Sequence, residues 1–235
     1  RQSGSAGSLF AGDFAGVLSV DAEFSGSRLG IGVMDNLEGE VVSLKGTTWA
    51  VPSDGKPREV AGSDKVAFGI AAHGGIRHSL RIAAGSDIAG ISAALDNTLS
   101  RHHIDHEDVV CAVEIVGSFE DVVLRTIHRP DYEGEPLGEI IDDEIRFSFA
   151  QWQGTLVGFR YPDATEGITI PGLHLHGISE DRNSGGHVRN LVTRDVTAHV
   201  WLDDLVLEAE PEGSEKAIAI DFDRYEGPVS KNAQE

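Results

Sequence analysis

Cysteine occurs once in these 235 residues, at Cys111, so the chain cannot close an internal disulfide. The flanking run VVCAVEIV makes that thiol a small buried hydrophobe rather than a nucleophile. Positive charge is also scarce. Lys and Arg number 19 against 39 Asp and Glu, a formal net charge of −20, which excludes nucleic acid and anionic membrane surfaces as partners. No apolar run approaches the roughly 20 residues that span a bilayer. Internal repeats and low-complexity blocks are absent too. The N-terminal RQSGSAGSLF has no apolar signal core and no Met, so the cytoplasm is the expected location and an export signal further upstream stays open. What remains is an ordinary globular composition, 40% hydrophobic and 25% charged, long enough for one large core or two small ones. An anionic ligand would be repelled at long range by such a chain, so its site must bring its own cation, a metal or an arginine.

The stretch GLHLHGISEDRNSGGH, residues 172–187, offers that cation a home. His174 and His176 are two apart, so on a β-strand both imidazoles point to one face. The polar GISEDRNSGG that follows reads as a hairpin connection, and a returning strand from His187 places a third imidazole opposite the first two. Three protein nitrogens with room for water or substrate is the usual pattern of a catalytic zinc site, and such sites accept other divalent metals. His102 and His103 are adjacent, so their side chains diverge on either a helix or a strand.

The remaining pattern is β-rich. A short helix is expected within SGSAGSLFAGDFAGVLSVDAEF, residues 3–24, and strands in RLGIGVM, LEGEVVSLKG, TTWAVPSDGKPREV (with a turn at Ser53–Lys56) and KVAFGIAAH. Ile88, Ile91, Leu95 and Leu99 recur at helical spacing behind Ser86 and Asp87, which predicts a helix ending near Arg101. DVVCAVEIVGSF and EDVVLRTIHRP read as two strands about a glycine turn, and the acidic segment 131–143 as an exposed linker. The expected fold class is α+β and β-dominated: two mixed or antiparallel sheets with few helices and the metal site between two halves. Those halves are an N-terminal 1–135 with the clear helix and a C-terminal 136–235 with the histidines, together one catalytic unit.

Other residues are ambiguous on their own. Glu38 and Glu40 share a strand face around Gly39, which by itself favours a solvated strand edge. Arg125 lies in the apolar VVLRTI and needs an anion, supplied either by the protein or by a ligand. Glu180 and Asp181 read as a solvated turn, and the direction of Arg182 is not legible.

Taken in order, SLFAGDFAG, LGIGVMDNLEGEVVSLKG, SDKVAF, VEIVGSFEDVVLRT, QGTLVGF and GLHLHGISEDRNSGGHV resemble the α-acetolactate decarboxylases nearly end to end. The resemblance implies a carbon–carbon lyase that converts the anionic small molecule 2-acetolactate to acetoin, the step of acetoin biosynthesis in the butanediol pathway, in a cytoplasmic homodimer. It implies zinc on His174, His176 and His187, with other divalent metals accepted. Glu40 falls on the family's catalytic glutamate and Arg125 on its active-site arginine, while Glu235 best matches a C-terminal glutamate that reaches the metal. Val33, Met34 and Glu38 depart from the family pattern GTFxxLDGE. The chemistry asks for a cation at the ketone oxygen, where charge develops as CO₂ leaves, and for a carboxyl group to return a proton.

Two other readings start from the same histidines. HLHGISE contains HxHxxxE, the core of a cupin motif, and a cupin-type dioxygenase or isomerase would take Glu180 as a metal ligand. Gly172 stands too close to His174 to open that motif, and His187 arrives inside the usual gap between motifs. A closed four-ligand structural metal site is the non-enzymatic reading. Substituting Glu180→Gln separates them: the decarboxylase reading expects unchanged bound metal, and the cupin reading expects loss.

Overall fold

The computed structural model describes residues 1–16, 18–105, 109–162 and 172–204. In chain order the elements are β1 (Gln2–Ser3), α1 (Ala6–Phe10), β2 (Leu18–Ser19), α2 (Val20–Phe24), β3 (Leu29–Met34), β4 (Glu40–Leu44), β5 (Thr47–Val51), β6 (Arg58–Glu59), β7 (Lys65–Ala72), β8 (Ile76–Leu80), α3 (Ile88–Arg101), β9 (Val109–Thr126), α4 (Leu137–Asp142), β10 (Ile145–Tyr161), β11 (Gly172–Ser179) and β12 (Gly185–Asp204). No helix among the described residues is long and apolar enough to cross a membrane.

Two antiparallel sheets result. The first runs β1-β7-β3-β4-β5-β6 with β2 also on β7, and the second runs β11-β10-β9-β12-β8. In the second sheet β11 also pairs with β12, so β9, β10, β11 and β12 pair in a closed circuit. β3 and β4 lie in the middle of the first sheet and are buried along their whole length, which is why LGIGVM and EVVSL show little alternation. A shared core fills the space between the sheets: Ile31, Val42 and Phe68 from the first meet Val157, Phe159 and Ile178 from the second. Burial of these faces is the main favourable term holding the layers together.

α3 forms where the spacing predicts it. Asp87 caps it by accepting from the Gly90 N–H at 2.8 Å. Ile91, Leu95 and Leu99 recur at one-turn intervals and pack on Cys111, Val113 and Ile115, the outer face of the second sheet. Burial pushes the Cys111 thiol up to about 11, so it stays protonated and inert at neutral pH.

Three details differ from expectation. The N-terminal stretch forms two short helices rather than one. β9 is one continuous strand through Gly117, because its neighbours β10 and β12 bend with it; register shifts at Val188–Asp195 absorb the curvature. Gly117 permits this bend: a Cβ there would lie 2.0 Å from the Asp195 carbonyl oxygen. The segment 131–143 is no bare linker, since Leu137, Ile140 and Ile141 bury as one face of α4. The change from one sheet to the other comes at residues 73–75, between β7 and β8.

Leu95 is fully buried against the sheet face opposite the inter-sheet core. Leu95→Ala should therefore lower unfolding free energy by about 3 kcal/mol, a cavity cost, measured by urea titration. The face toward the first sheet should be unaffected in the folded protein.

Candidate metal centre

Antiparallel register assembles the site. His176 on β11 stands directly across from His187 on β12, and His187 stands across from Arg125 on β9. One cross-strand row therefore carries Arg125, His187 and His176, and His174 joins it from two residues back along β11. The Ser179 hydroxyl oxygen tightens the intervening turn by accepting from the N–H groups of Asn183 and Ser184. Asp181 accepts from Asn183 and Ser179 in the same turn, which holds its carboxyl below the usual range.

At the β12 end of that turn, Gly186 has φ of 137°, and a Cβ there would lie 2.5 Å from the Arg125 carbonyl oxygen. The absence of a side chain lets the start of β12 approach β9 closely enough for His187 to enter the row.

All three histidines are buried, and one ligand atom from each lies within 4.8 Å of the others. His174 Nε2 and His176 Nε2 are 3.1 Å apart. That separation is close to what two ligands at about 2.0–2.1 Å from one tetrahedral zinc require. His176 Nδ1 donates to the Val41 carbonyl at 2.7 Å, which fixes the tautomer and leaves Nε2 as the lone-pair nitrogen facing the cluster. Burial, reinforced by the Arg125 charge, holds His187 well below the ordinary imidazole value, so it is neutral and able to ligate. The donor set thus fits a divalent metal.

The first sheet supplies the opposite wall. Glu40 opens β4 and is 5% exposed, so it is a buried carboxylate rather than a solvated edge. Arg125 Nη1 donates to Glu40 Oε1 at 2.6 Å, and Glu40 Oε2 lies 3.5 Å from His176 Nε2. Glu38, by contrast, is half exposed and pairs with Arg129 at the surface. Gly39 separates their fates, because at φ 155° its backbone comes so close to Val51 and Pro52 that a Cβ would lie 3.0 Å away.

Glu40, Arg125, His174 and His176 form the polar end of a cavity whose other walls are apolar. α1 contributes Leu9 and Phe10, α4 contributes Leu137 and Ile141, and the first sheet contributes Val33 and Phe68. Val33 thus stands on the cavity wall. Glu180 is exposed in the hairpin turn and takes no part in the histidine cluster. Arg182 turns outward over the Trp49 ring at 4.8 Å. Glu235 lies outside the described residues. Two buried charged residues escape the sequence reading, Glu144 and Arg189: Glu144 ion-pairs with Arg125 and with Arg189, each at 3.3 Å. Arg189 follows His187 by two positions, a cue that strand spacing offers and that the hairpin motif overshadows.

Fold and site together define a class: two antiparallel β-sheets enclosing a three-histidine cluster able to hold a metal ion, with an adjacent arginine–glutamate pair. Residues 2–209 match the alpha-acetolactate decarboxylase family, and the chain belongs to that family. It is 29% identical over 227 residues to the alpha-acetolactate decarboxylase of Methanosarcina mazei, covering 97% of this chain and 74% of that one. It is 30% identical over 184 residues to that of Brevibacillus brevis, covering 78% and 62%. The crystal structure of alpha-acetolactate decarboxylase from Bacillus subtilis strain 168 superposes with a TM-score of 0.75 at 27% identity, covering 86% of this chain and 84% of that one. The family's named activity is that of a carboxy-lyase.

Adding a side chain at the close approach should disturb the row. Gly186→Ala is expected to weaken whatever affinity the cluster has for a divalent metal about 10- to 100-fold, the scale of losing an outer-shell support, measured by competition with a chromogenic chelator. Unchanged affinity would show that His187 does not depend on this strand approach.

Proposed function

We propose that this protein decarboxylates 2-acetolactate to acetoin at the cavity between the sheets, with zinc held by His174, His176 and His187. The observation that carries the proposal is the Arg125–Glu40 pair beside the histidine cluster, closed in by apolar walls. A zinc ion bound there would act as a Lewis acid, stabilising negative charge on the substrate's ketone oxygen.

The chain's own residues do the rest. Arg125 holds the substrate carboxylate while its Nε side stays paired with Glu144. α1 and α4 exclude water from around the carboxylate, which disfavours the localised charge that departs as CO₂. When the bond between the carboxylate carbon and the tertiary carbon breaks, its electron pair moves toward the ketone and leaves an enediolate. Glu40, fixed on one side of the cavity by Arg125, takes up a proton from solvent when the substrate carboxylate claims Arg125, and delivers it to the former tertiary carbon. The ketone re-forms, and delivery from a single side gives one acetoin enantiomer. The C-terminal Glu235 is a second candidate for this proton. Zinc as the resident metal and a cytoplasmic homodimer belong to the same proposal.

Acetoin formation from racemic acetolactate tests it, using metal-replete protein, EDTA-treated protein and His174→Ala. Activity should vanish in both treated samples and return only to wild type when zinc is restored. Zinc-loaded wild type that forms no acetoin would refute the proposal. Glu40→Gln should keep its zinc and lose about 10²- to 10⁴-fold in kcat, the usual weight of a general acid; a smaller loss would move the proton-donor role to Glu235.

A further inference from the structure

Three arginines converge on one buried carboxylate behind the site. Arg125 on β9 and Arg146 on β10 stand directly opposite each other in the ladder, a like-charge pair that repels unless something separates it. Glu144, at the junction of α4 and β10, sits between them. Its Oε2 is 3.3 Å from Arg125 Nε, and its Oε1 is 2.5 Å from Arg146 Nε. Arg189 on β12, on the other side of β9, reaches the same Oε1 at 3.3 Å. The Glu144 side chain is 3% exposed, Arg125 7% and Arg189 6%, whereas Arg146 is partly in solvent at 43%.

We infer that Glu144 is a positioning residue, which anchors the Nε edge of Arg125 so that its Nη edge faces the cavity, and that Arg189 balances the buried charge of Glu144. The inference rests on Arg125 being the group that holds the substrate carboxylate. An arginine presents a rigid planar fork, so two contacts on different edges fix its plane. Glu40 accepts a hydrogen bond from Nη1, and Glu144 holds the Nε side by charge, an ion pair at 3.3 Å without hydrogen-bond alignment. Glu40 is also the proposed proton donor, so the contact with Glu144 lets Arg125 keep its place while Glu40 changes charge. Removing Glu144 alone would leave three cations sharing a pocket with only Glu40 to offset them, and Arg125 would be pushed from its position. Removing Glu144 and Arg189 together takes out one charge of each sign.

The test is a double-substitution cycle on zinc-loaded protein with Glu144→Gln, Arg189→Met and the pair. Binding of 2-hydroxy-2-methylpropanoate, an unreactive carboxylate without the ketone, is read by calorimetry, beside zinc content and acetoin kinetics. Glu144→Gln should raise the probe Kd and the KM about tenfold or more, with kcat nearly unchanged and zinc stoichiometry kept, the signature of lost uniform binding. The double variant should return to within about threefold of wild type, because paired sites couple non-additively. A purely structural role would instead lower the folded fraction or zinc content and leave Kd per folded site unchanged. If Glu144→Gln does not fold, Glu144→Asp keeps the charge and shortens its reach, and should still raise Kd by about threefold or more. Wild-type Kd in that variant or in Glu144→Gln overturns the inference, as do a double variant no better than the single and a wild type that does not bind the probe. The expected Kd pattern without any acetoin formation would uphold the positioning role and defeat the decarboxylase reading.

Discussion

The site depends on the approach of β12 to both β9 and β11 at its first residues. β12 is the strand through which Arg125 and His176 come to stand in one row, with His187 between them. The approach is possible because Gly185 and Gly186 carry no side chains toward their neighbours. A Cβ on Gly185 would meet the Gly177 carbonyl at 2.9 Å, and one on Gly186 the Arg125 carbonyl at 2.5 Å. Once the row is set, burial does the electrostatic tuning, because His187, removed from water, stays neutral and available as a ligand.

The first sheet completes the chemistry without touching that row through its own ladder. β4 delivers Glu40 to Arg125 and a backbone carbonyl to His176, so one strand orients both a charge and a tautomer. Since Glu40 and Val41 are consecutive, the register of β4 against β3 and β5 controls both contacts at once. A shift by one residue would turn Glu40 to the other face and withdraw it from Arg125. The short helices α1 and α4 then roof the cavity with apolar side chains. In the proposed reaction a carboxylate entering it would exchange water for Arg125, which answers the problem a chain of net charge −20 poses for an anionic substrate.

The sequence makes some of this legible and hides the rest, for physical reasons. The histidine triad is readable because strand periodicity and a hairpin are local rules, and both act within residues 172–187. α3 is readable because its apolar stripe and Asp87 cap are local too. Glu40 taken alone looks like a solvated edge residue, since it is covered by Arg125 of β9 and His176 of β11, which are distant in sequence. The continuity of β9 through Gly117 is hidden because a glycine reads as a turn unless the bend of β10 and β12 is known. In 131–143 acidic residues mask the three apolar positions that make α4, so the segment reads as a linker. Glu144 is hidden because an ion-pair network across three strands leaves no short-range pattern at its position, and Arg189 offers only its two-residue spacing from His187. Family resemblance supplies Glu40 and Arg125 as site residues, and the geometry supplies their partners.

The measurement that bears most directly on the central claim is X-ray absorption of the zinc-loaded protein at the metal edge, with metal content measured on the same sample. The account predicts one zinc per chain, bound by three imidazole nitrogens at about 2.0–2.1 Å with oxygen completing the shell, and two imidazoles in His174→Ala. Sub-stoichiometric zinc, or a shell with fewer than three imidazoles in the wild type, would contradict it.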